Sequence, residues 1–455
     1  MRPDGSSIFA IGDQPALVVE PLGEGHVYSV LFDFACSILA MHQGKPTREL
    51  DFGTPDGDHW IPTSRRVAYE KLTTTSVPYA DVLQRALFER VIENRPLARL
   101  WPFPGSHSGA AMTIHAARHS PRAVFGYADW ARKQEASSTL FPAPDRFTAS
   151  HAALADEVGS DVGLLWVLGV EREPVTEGVG FGAIEPWRRE LSLSRQHVGL
   201  QTTIPQRSSP SLVRTEATLW QADWDSTFRT IAAAGLAVDT SFGPGEKGQY
   251  GYLFGTAMPY YPLDSRGRPL PVLELPFVVD GANITTNRLR ELFDHSAGGF
   301  HQPITLSLSG HAMQYEPAVG VLLGYRSFHD LAREHDHWLT NVSDYVDFLA
   351  ARRHSVVTSQ WSPAEGRLTV SVNLVGARLD TAPQGAIASL AVPETYGERS
   401  IERIDIDDDE VEVVATARSG FGHERLIELP PGRHVVSVFY ESPPEDHEDD
   451  EESSP

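Results

Sequence analysis

The chain has 455 residues, 41% of them hydrophobic, with 33 Pro, 37 Gly and a formal charge of −23. That apolar content fills one large domain with appendages, or two to three domains, while the acidic balance argues against nucleic acid, whose phosphates are met by clustered Lys and Arg. The single Cys36 excludes an internal disulfide framework and any multi-cysteine zinc site.

Up to about Lys45 the pattern gives two strands and a helix, with a hairpin around Gly23 and Gly25 and with Cys36 inside an apolar run that reads as buried. A polar, Pro/Gly-rich stretch follows to about Ser76 and reads as a loop. Val82, Leu83, Ala86, Leu87, Val91 and Ile92 then recur at helical spacing. Next come a strand over Ala110–Ile114, a His-rich turn and a second strand over Ala123–Tyr127.

Further strands are expected over Gly163–Val170, His197–Thr203, Leu236–Thr240, Val272–Phe277 and Ile304–Leu308. Helices are expected over Ser226–Ala234 (capped by Asp225), Thr286–Phe293, Gly324–Glu334 and Ser343–Arg353. Strands alternating with helices over this length imply a parallel sheet closed as a (β/α) barrel. An open doubly wound sheet is the competing architecture, but no Gly-rich phosphate loop follows any strand. From about Ser355 short alternating strands imply an all-β appendage, most simply a small sandwich. The closing run SPPEDHEDDEESSP is acidic enough to repel itself and stay unfolded.

The expected organisation is therefore an N-terminal α/β segment and linker over 1–94, a barrel over 95–354, a β-sandwich over 355–441 and an acidic tail over 442–455. No run of eighteen or more apolar residues occurs, so no membrane span is expected. The N-terminus lacks a basic-then-apolar leader pattern, which points to a cytoplasmic protein, or to an extracytoplasmic one if a leader was removed.

Barrel enzymes place their chemistry at the C-terminal ends of the strands. After the first barrel strand stand His115, Ala116, Ala117, Arg118 and His119. His115, His119 and Asp129 lie near the ends of two expected strands, and imidazole with carboxylate suits zinc or iron; the plainer reading makes Asp129 the cap of a helix starting near Trp130. His335 and His337 diverge too much to share an ion. Asp129, Asp239 and Glu274 are candidates for paired acids, with a structural role favoured for Glu274. Trp130, Tyr260 and Tyr261 offer rings that could stack on sugar faces, with core packing as the alternative; Trp166 reads as core.

The segments RPLARLWPFPGSHSGAAMTI, GLAVDTSFGPGEKGQYGYLFGTAMPYYPLDSRGRPLPVLELPF and EHDHWLTNVSDYVDFLAARR, in that order, resemble the polysaccharide deacetylase superfamily (carbohydrate esterase family 4). The upstream GEGHVYSVLFDFACSILAMHQGKP resembles the end of an amidotransferase-like domain. The resemblance implies a distorted (β/α) barrel and metal-assisted amide hydrolysis, in which a dication polarises the acetamide carbonyl and a carboxylate acts as base.

Carried over residue by residue, the family's Asp-Asp pair falls at His115 and Ala116, and its two metal histidines at Gln201 and Pro205. Its arginine falls at Ala257, leaving Pro259 and Tyr260, and its late histidine at His311. The expectation is a degenerate member without a bound metal, binding a polysaccharide or glycan, or serving as an assembly component. His311 and Asp129 are then the candidate catalytic groups, and Tyr260, Tyr261, Trp130 and Asp239 the candidate substrate-binding groups. The alternatives are an active deacetylase with a rebuilt zinc site around His115, His119, Asp129 and His311, and a structural scaffold whose β appendage meets a protein partner.

Overall fold

In the computed structural model, the described residues are 6–11, 14–23, 25–44, 60–67, 72, 74–91, 95–117, 121–144, 148–166, 211–215, 219–221, 224–309, 319–376, 388–411, 415–419 and 422–441. By their contacts they form two units, Met1–Val91 with Ser108–Tyr345, and Ile92–His107 with Val346–Pro455. Among the described residues no helix is long and apolar enough to cross a membrane.

The first unit opens with an antiparallel sheet of β1 (Ser6–Ile11), β2 (Gln14–Leu22) and β3 (Gly25–Val30), followed by α1 (Phe34–Gln43). That is one strand more than expected, and Cys36 on α1 is exposed rather than buried. The stretch read as a loop contains β4 (Trp60–Pro62), which pairs with β11 (Leu219–Gln221), and a 3-10 turn (Thr63–Arg66), before α2 (Tyr79–Val91).

Two parallel sheets follow. One has β6 (Gly109–Ala117) at its centre, flanked by β15 (Pro303–Ser309) and β7 (Thr139–Pro142). Beyond these lie β14 (Val279–Asp280) and β8 (Asp161–Val162), while β16 (His337–Thr340) pairs with the start of β6. The other sheet runs β13 (Leu273–Glu274), β12 (Val238–Asp239), β10 (Leu212–Thr215), β9 (Leu164–Trp166). β8 and β9 are separated only by Gly163, whose N–H donates to Leu140 O at 2.8 Å. A Cβ there would stand 2.4 Å from Phe141 Cε1, so glycine is what lets the chain pass from one sheet to the other. The stretch from β13 to β14 makes the same transition: Leu275 N and Phe277 N donate to Asp239 O and Phe242 O at 2.9 Å, and Val278 N donates to Thr305 O at 3.0 Å.

The second strand expected over Ala123–Tyr127 is instead part of α3 (Pro121–Lys133). β6 and β7 are parallel, and parallel neighbours need a crossover, usually a helix. Pro121 at the first helical position and core-facing Ala128 and Ala131 three apart suit that role. Helix α4 (Ala149–Glu157) follows β7, and helices α5 (Ser226–Ala233), α6 (Thr286–His295), α7 (Val319–Glu334) and α8 (Val342–His354) fall where expected. Asp225 stands at the N-cap of α5, but its carboxylate accepts from Ser265 N. Leu289, Leu292 and Phe293 of α6 pack with Phe328, Leu331 and Ala332 of α7 onto Ile304, Leu306 and Leu308 of β15. The expected strand over His197–Thr203 lies outside the described residues.

The second unit is all-antiparallel apart from the end of α8. One sheet is built on β17 (Val356–Ser362), β18 (Arg367–Leu374), β25 (Gly432–Tyr440) and β21 (Arg399–Ile406), with the short β20 (Thr395–Tyr396) and β22 (Asp409–Glu410) paired to β21. The other runs β23 (Ala415–Ser419), β24 (Gly422–Leu429), β19 (Ala388–Pro393), β5 (Arg99–Pro104). Leu368, Val370, Val372, Val436 and Val438 from the first share one core with Leu390, Val392, Ile427 and Leu429 from the second. The Pro-rich entry read as the start of the barrel is therefore an edge strand of this unit. Arg99 ties it down through Glu424, whose side chain is 1% exposed, at 2.6 Å. The C-terminal run 442–455 lies outside the described residues.

Candidate functional site

Strands paired in register share a face, and successive residues alternate between faces. Leu308 of β15 faces the helices and pairs with His115, so His115 faces the helices too. Its ring meets Tyr325 of α7 edge-on at 6.0 Å, and His329 of α7 stands behind. Trp130 of α3 lies against both, 5.2 Å from Tyr325 and 5.2 Å from His329. His115 is 0% exposed and neither ring nitrogen has a hydrogen-bond partner. Burial, with His329 beside it, pulls the imidazole down to about 3, so it is neutral at physiological pH. The next residue, Ala116, pairs with Ser309 on the opposite face.

Of the alternative zinc constellation, the described members His115 and Asp129 have no metal-binding group around them. His115 is sealed under α3 and α7. Asp129 lies within α3, neither at a strand end nor at a cap, and pairs with Lys133 at 2.6 Å and Arg132 at 3.0 Å. Those partners hold its carboxyl below the usual range. Trp130 is partly buried against the core and offers no free sugar platform. His119, Gln201, Pro205 and His311 lie outside the described residues. Ala257 is buried, its N–H donating to Gln302 Oε1. His337 is held at the start of β16 by Ser296 Oγ at 2.9 Å and Ser108 Oγ at 3.1 Å.

The polar groups that do converge at strand ends centre on Arg214 of β10, which the sequence reading passed over. An arginine after Leu212 and Val213 in a buried strand was the available signal. Arg214 is 4% exposed; Nη1 donates to Thr240 O at 2.5 Å and Nη2 to Ser307 Oγ at 2.7 Å. Its guanidinium lies 4.6 Å from the Phe277 ring centre. Burial pulls its pKa down to about 10, partly opposed by Asp280, Asp239 and Glu274, so it stays cationic. Ser307 alternates with the helix-facing Leu306 and Leu308, so the guanidinium reaches the face of β15 opposite His115.

Asp239 and Glu274 pair in register and share the face of Val213, which packs on α5. Both are 0% exposed, and Glu274 Oε2 has no hydrogen-bond partner. Asp239 Oδ1 also accepts from Ser241 Oγ at 2.7 Å, and Glu274 Oε1 from Phe242 N at 3.1 Å. Burial raises both carboxyls, Glu274 further because Asp239 stands beside it. Tyr260 bridges Glu274 through its backbone, stacks on His42 at 4.6 Å and donates its hydroxyl to His42 O. Of the expected substrate-binding groups, Asp239 and Tyr260 are thus brought together but enclosed, and Tyr261 alone is open, at 41% exposure.

No family model and no curated protein matches the sequence. Among solved structures, a candidate polysaccharide deacetylase from Mycobacterium smegmatis is 12% identical, with a TM-score of 0.38 over 56% of this chain and 96% of its own. A family 4 carbohydrate esterase from Bacillus anthracis is 10% identical, with a TM-score of 0.30 over 54% of this chain and 86% of its own. A carbohydrate esterase family 4 pseudoenzyme from Bacillus anthracis is 9% identical, with a TM-score of 0.31 over 53% and 67%. The likeness is to polysaccharide deacetylases. Identities this low assign no residue roles, which have to come from the chain itself.

Members of that family use a divalent ion. Among the described residues no group of three or more His, Cys, Asp or Glu stands together as metal ligands. At the end of β6 stand an imidazole turned toward the helices, His115, and a methyl group, Ala116. His115 and Ala116, so placed, do not fit a dication.

Proposed function

We propose that the two parallel sheets are arcs of one distorted (β/α) barrel, and that the chain is a polysaccharide deacetylase-like protein that has lost metal-dependent deacetylation and acts as a carbohydrate-binding or assembly component. Closure is supported by the two stretches that each serve both sheets, β8–β9 across Gly163 and β13–β14 across Leu275–Val278. The loss of hydrolysis is carried by one observation, that His115 faces α7 while Ala116 takes the opposite face of β6. Without a carboxylate there, neither the base nor the first ligand of an ion is supplied, and losing a general base alone typically costs 10²–10⁴ in rate. Tyr261, at 41% exposure, offers an exposed ring for a sugar face.

The test uses acetylated chitooligosaccharides with and without added zinc or cobalt. No acetate should be released above the protein-free control, while calorimetry should detect binding that Tyr261→Ala weakens about fivefold. Metal-dependent acetate release would overturn the loss of hydrolysis. Affinity unchanged in Tyr261→Ala would remove this ring from the carbohydrate site.

A further inference from the structure

The second unit ends its first sheet on an unprotected edge. β17 pairs with β18 over its whole length, from Val356 with Asn373 to Ser362 with Arg367, and no strand among the described residues pairs with its other side. The ladder has no bulge, and VVTSQWS carries neither a charge nor a proline, although the chain has a formal charge of −23. Sheets ordinarily guard such an edge with a lysine, a proline, a bulge or a covering segment. Val356, Thr358, Ser359 and Gln360 are exposed, so the strand lies open.

The ladder also fixes which amides face outward. Tyr440 N donates to Gly366 O at 2.9 Å, one step beyond the pairing of Arg367 with Phe439. Main-chain groups alternate in direction along an antiparallel strand. Arg367, Thr369, Ser371 and Asn373 therefore turn theirs toward β17, where they meet Ser362, Gln360, Thr358 and Val356. That leaves the N–H and C=O groups of Val357, Ser359 and Trp361 directed at the open edge. The side chains of Val357 and Trp361 face the core, in register with Val372 and Leu368, yet both are only partly buried. Trp361 is held edge-on by Tyr396 at 5.1 Å and Tyr440 at 5.8 Å.

We infer that β17 is a dimerisation edge, filled by β17 of a second copy running antiparallel across a two-fold axis at Ser359. The strand is its own complement. Ser359 meets Ser359 of the second copy, and Val357 of each copy meets Trp361 of the other. All the outward-facing amides then fall at hydrogen-bonded pairs, each exchanging both of its N–H···O bonds. Valine against tryptophan is a cross-strand pair that stabilises sheets, and it covers on each copy what one sandwich leaves half-buried. Thr358 meets Gln360 on the outer face. The lack of charge is what selects a second copy: an edge built for a charged partner would carry the opposite sign, and like charges set opposite each other would repel. Both chains use the same edge, so association closes at two.

Sedimentation of the full chain over a range of concentrations reads the association, and an introduced cysteine reads the register. Cys36 is the one cysteine and is exposed, so the probes are built on Cys36→Ser. With Ser359→Cys added, the two thiols face each other at a Cα separation of about 5.5 Å, within disulfide reach, and mild oxidation should give a covalent dimer. Thr358→Cys in the same background stands about 8 Å from its counterpart and should not cross-link. Ser359→Lys alters an exposed side chain and sets two ammonium groups opposite each other, so it should convert the dimer to a monomer. A chain that sediments as a monomer throughout, even one whose edge takes another protein, would overturn the inference. So would a dimer that Ser359→Lys leaves intact, or cross-linking at 358 as efficient as at 359.

Discussion

His115→Leu separates a structural histidine from a ligand most cleanly. Leucine has a similar volume and removes two buried nitrogens that have no partners. Each unsatisfied buried polar group costs about 1–3 kcal/mol, so with two removed the variant should be more stable at pH 7.5 by about 2–6 kcal/mol. A second contribution appears on acidification. The folded imidazole titrates at about 3 against 6.5 for the free group, so the unfolded chain binds a proton that the folded chain refuses. That part of the stability is complete above about pH 6.5 and is lost as pH falls toward 3. At pH 5 the loss is about 2 kcal/mol, from the ratio of the two binding polynomials. The gap between variant and wild type should therefore widen by about 2 kcal/mol between pH 7.5 and 5. Urea unfolding at both pH values measures it. A variant that is less stable at pH 7.5, with the same gap at pH 5, would mean that the ring nitrogens are engaged.

Other changes test the remaining features. His329 and His337 are also pulled by burial to about 3, so the wild-type chain should lose stability steeply between pH 6.5 and 4, and His329→Leu should reduce that slope in acid titrations of unfolding. Arg99→Ala strands the buried carboxylate of Glu424 and should cost about 3–5 kcal/mol in the unit containing β5, read by exchange of the β19 and β24 amides; no effect there would detach the Pro-rich entry from that unit. Gly163→Ala drives a methyl into Phe141 and should lower stability by about 1–3 kcal/mol in a thermal melt, whereas an unchanged midpoint would deny the tight passage between the sheets.

Much of the architecture was legible because parallel strands buried on both faces read as apolar runs. Gly109–Ala117 and Pro303–Ser309 are of that kind, and α5 to α8 follow their helical spacing. What the pattern misread was set by distant partners. AVFGY has strand-like residues, but the parallel pairing of β6 with β7 turns it into a helix. RLWPFP adjoins the first barrel strand in sequence, yet it pairs with β19, almost three hundred residues away. The candidate site was less legible still. Which face His115 takes depends on register with Leu308, and Asp129 changed role once its strand became a helix. Asp239 and Glu274 meet only through the pairing of β12 with β13, and Arg214 finds Ser307 from the far end of the chain fold.

Metal content bears most directly on the loss of hydrolysis. The full chain, incubated with excess zinc and then freed of unbound ion, should carry well below one ion per molecule by elemental analysis, and His115→Leu should carry the same amount. One zinc per chain, falling away in His115→Leu, would mean that the first-strand histidine holds a dication after all.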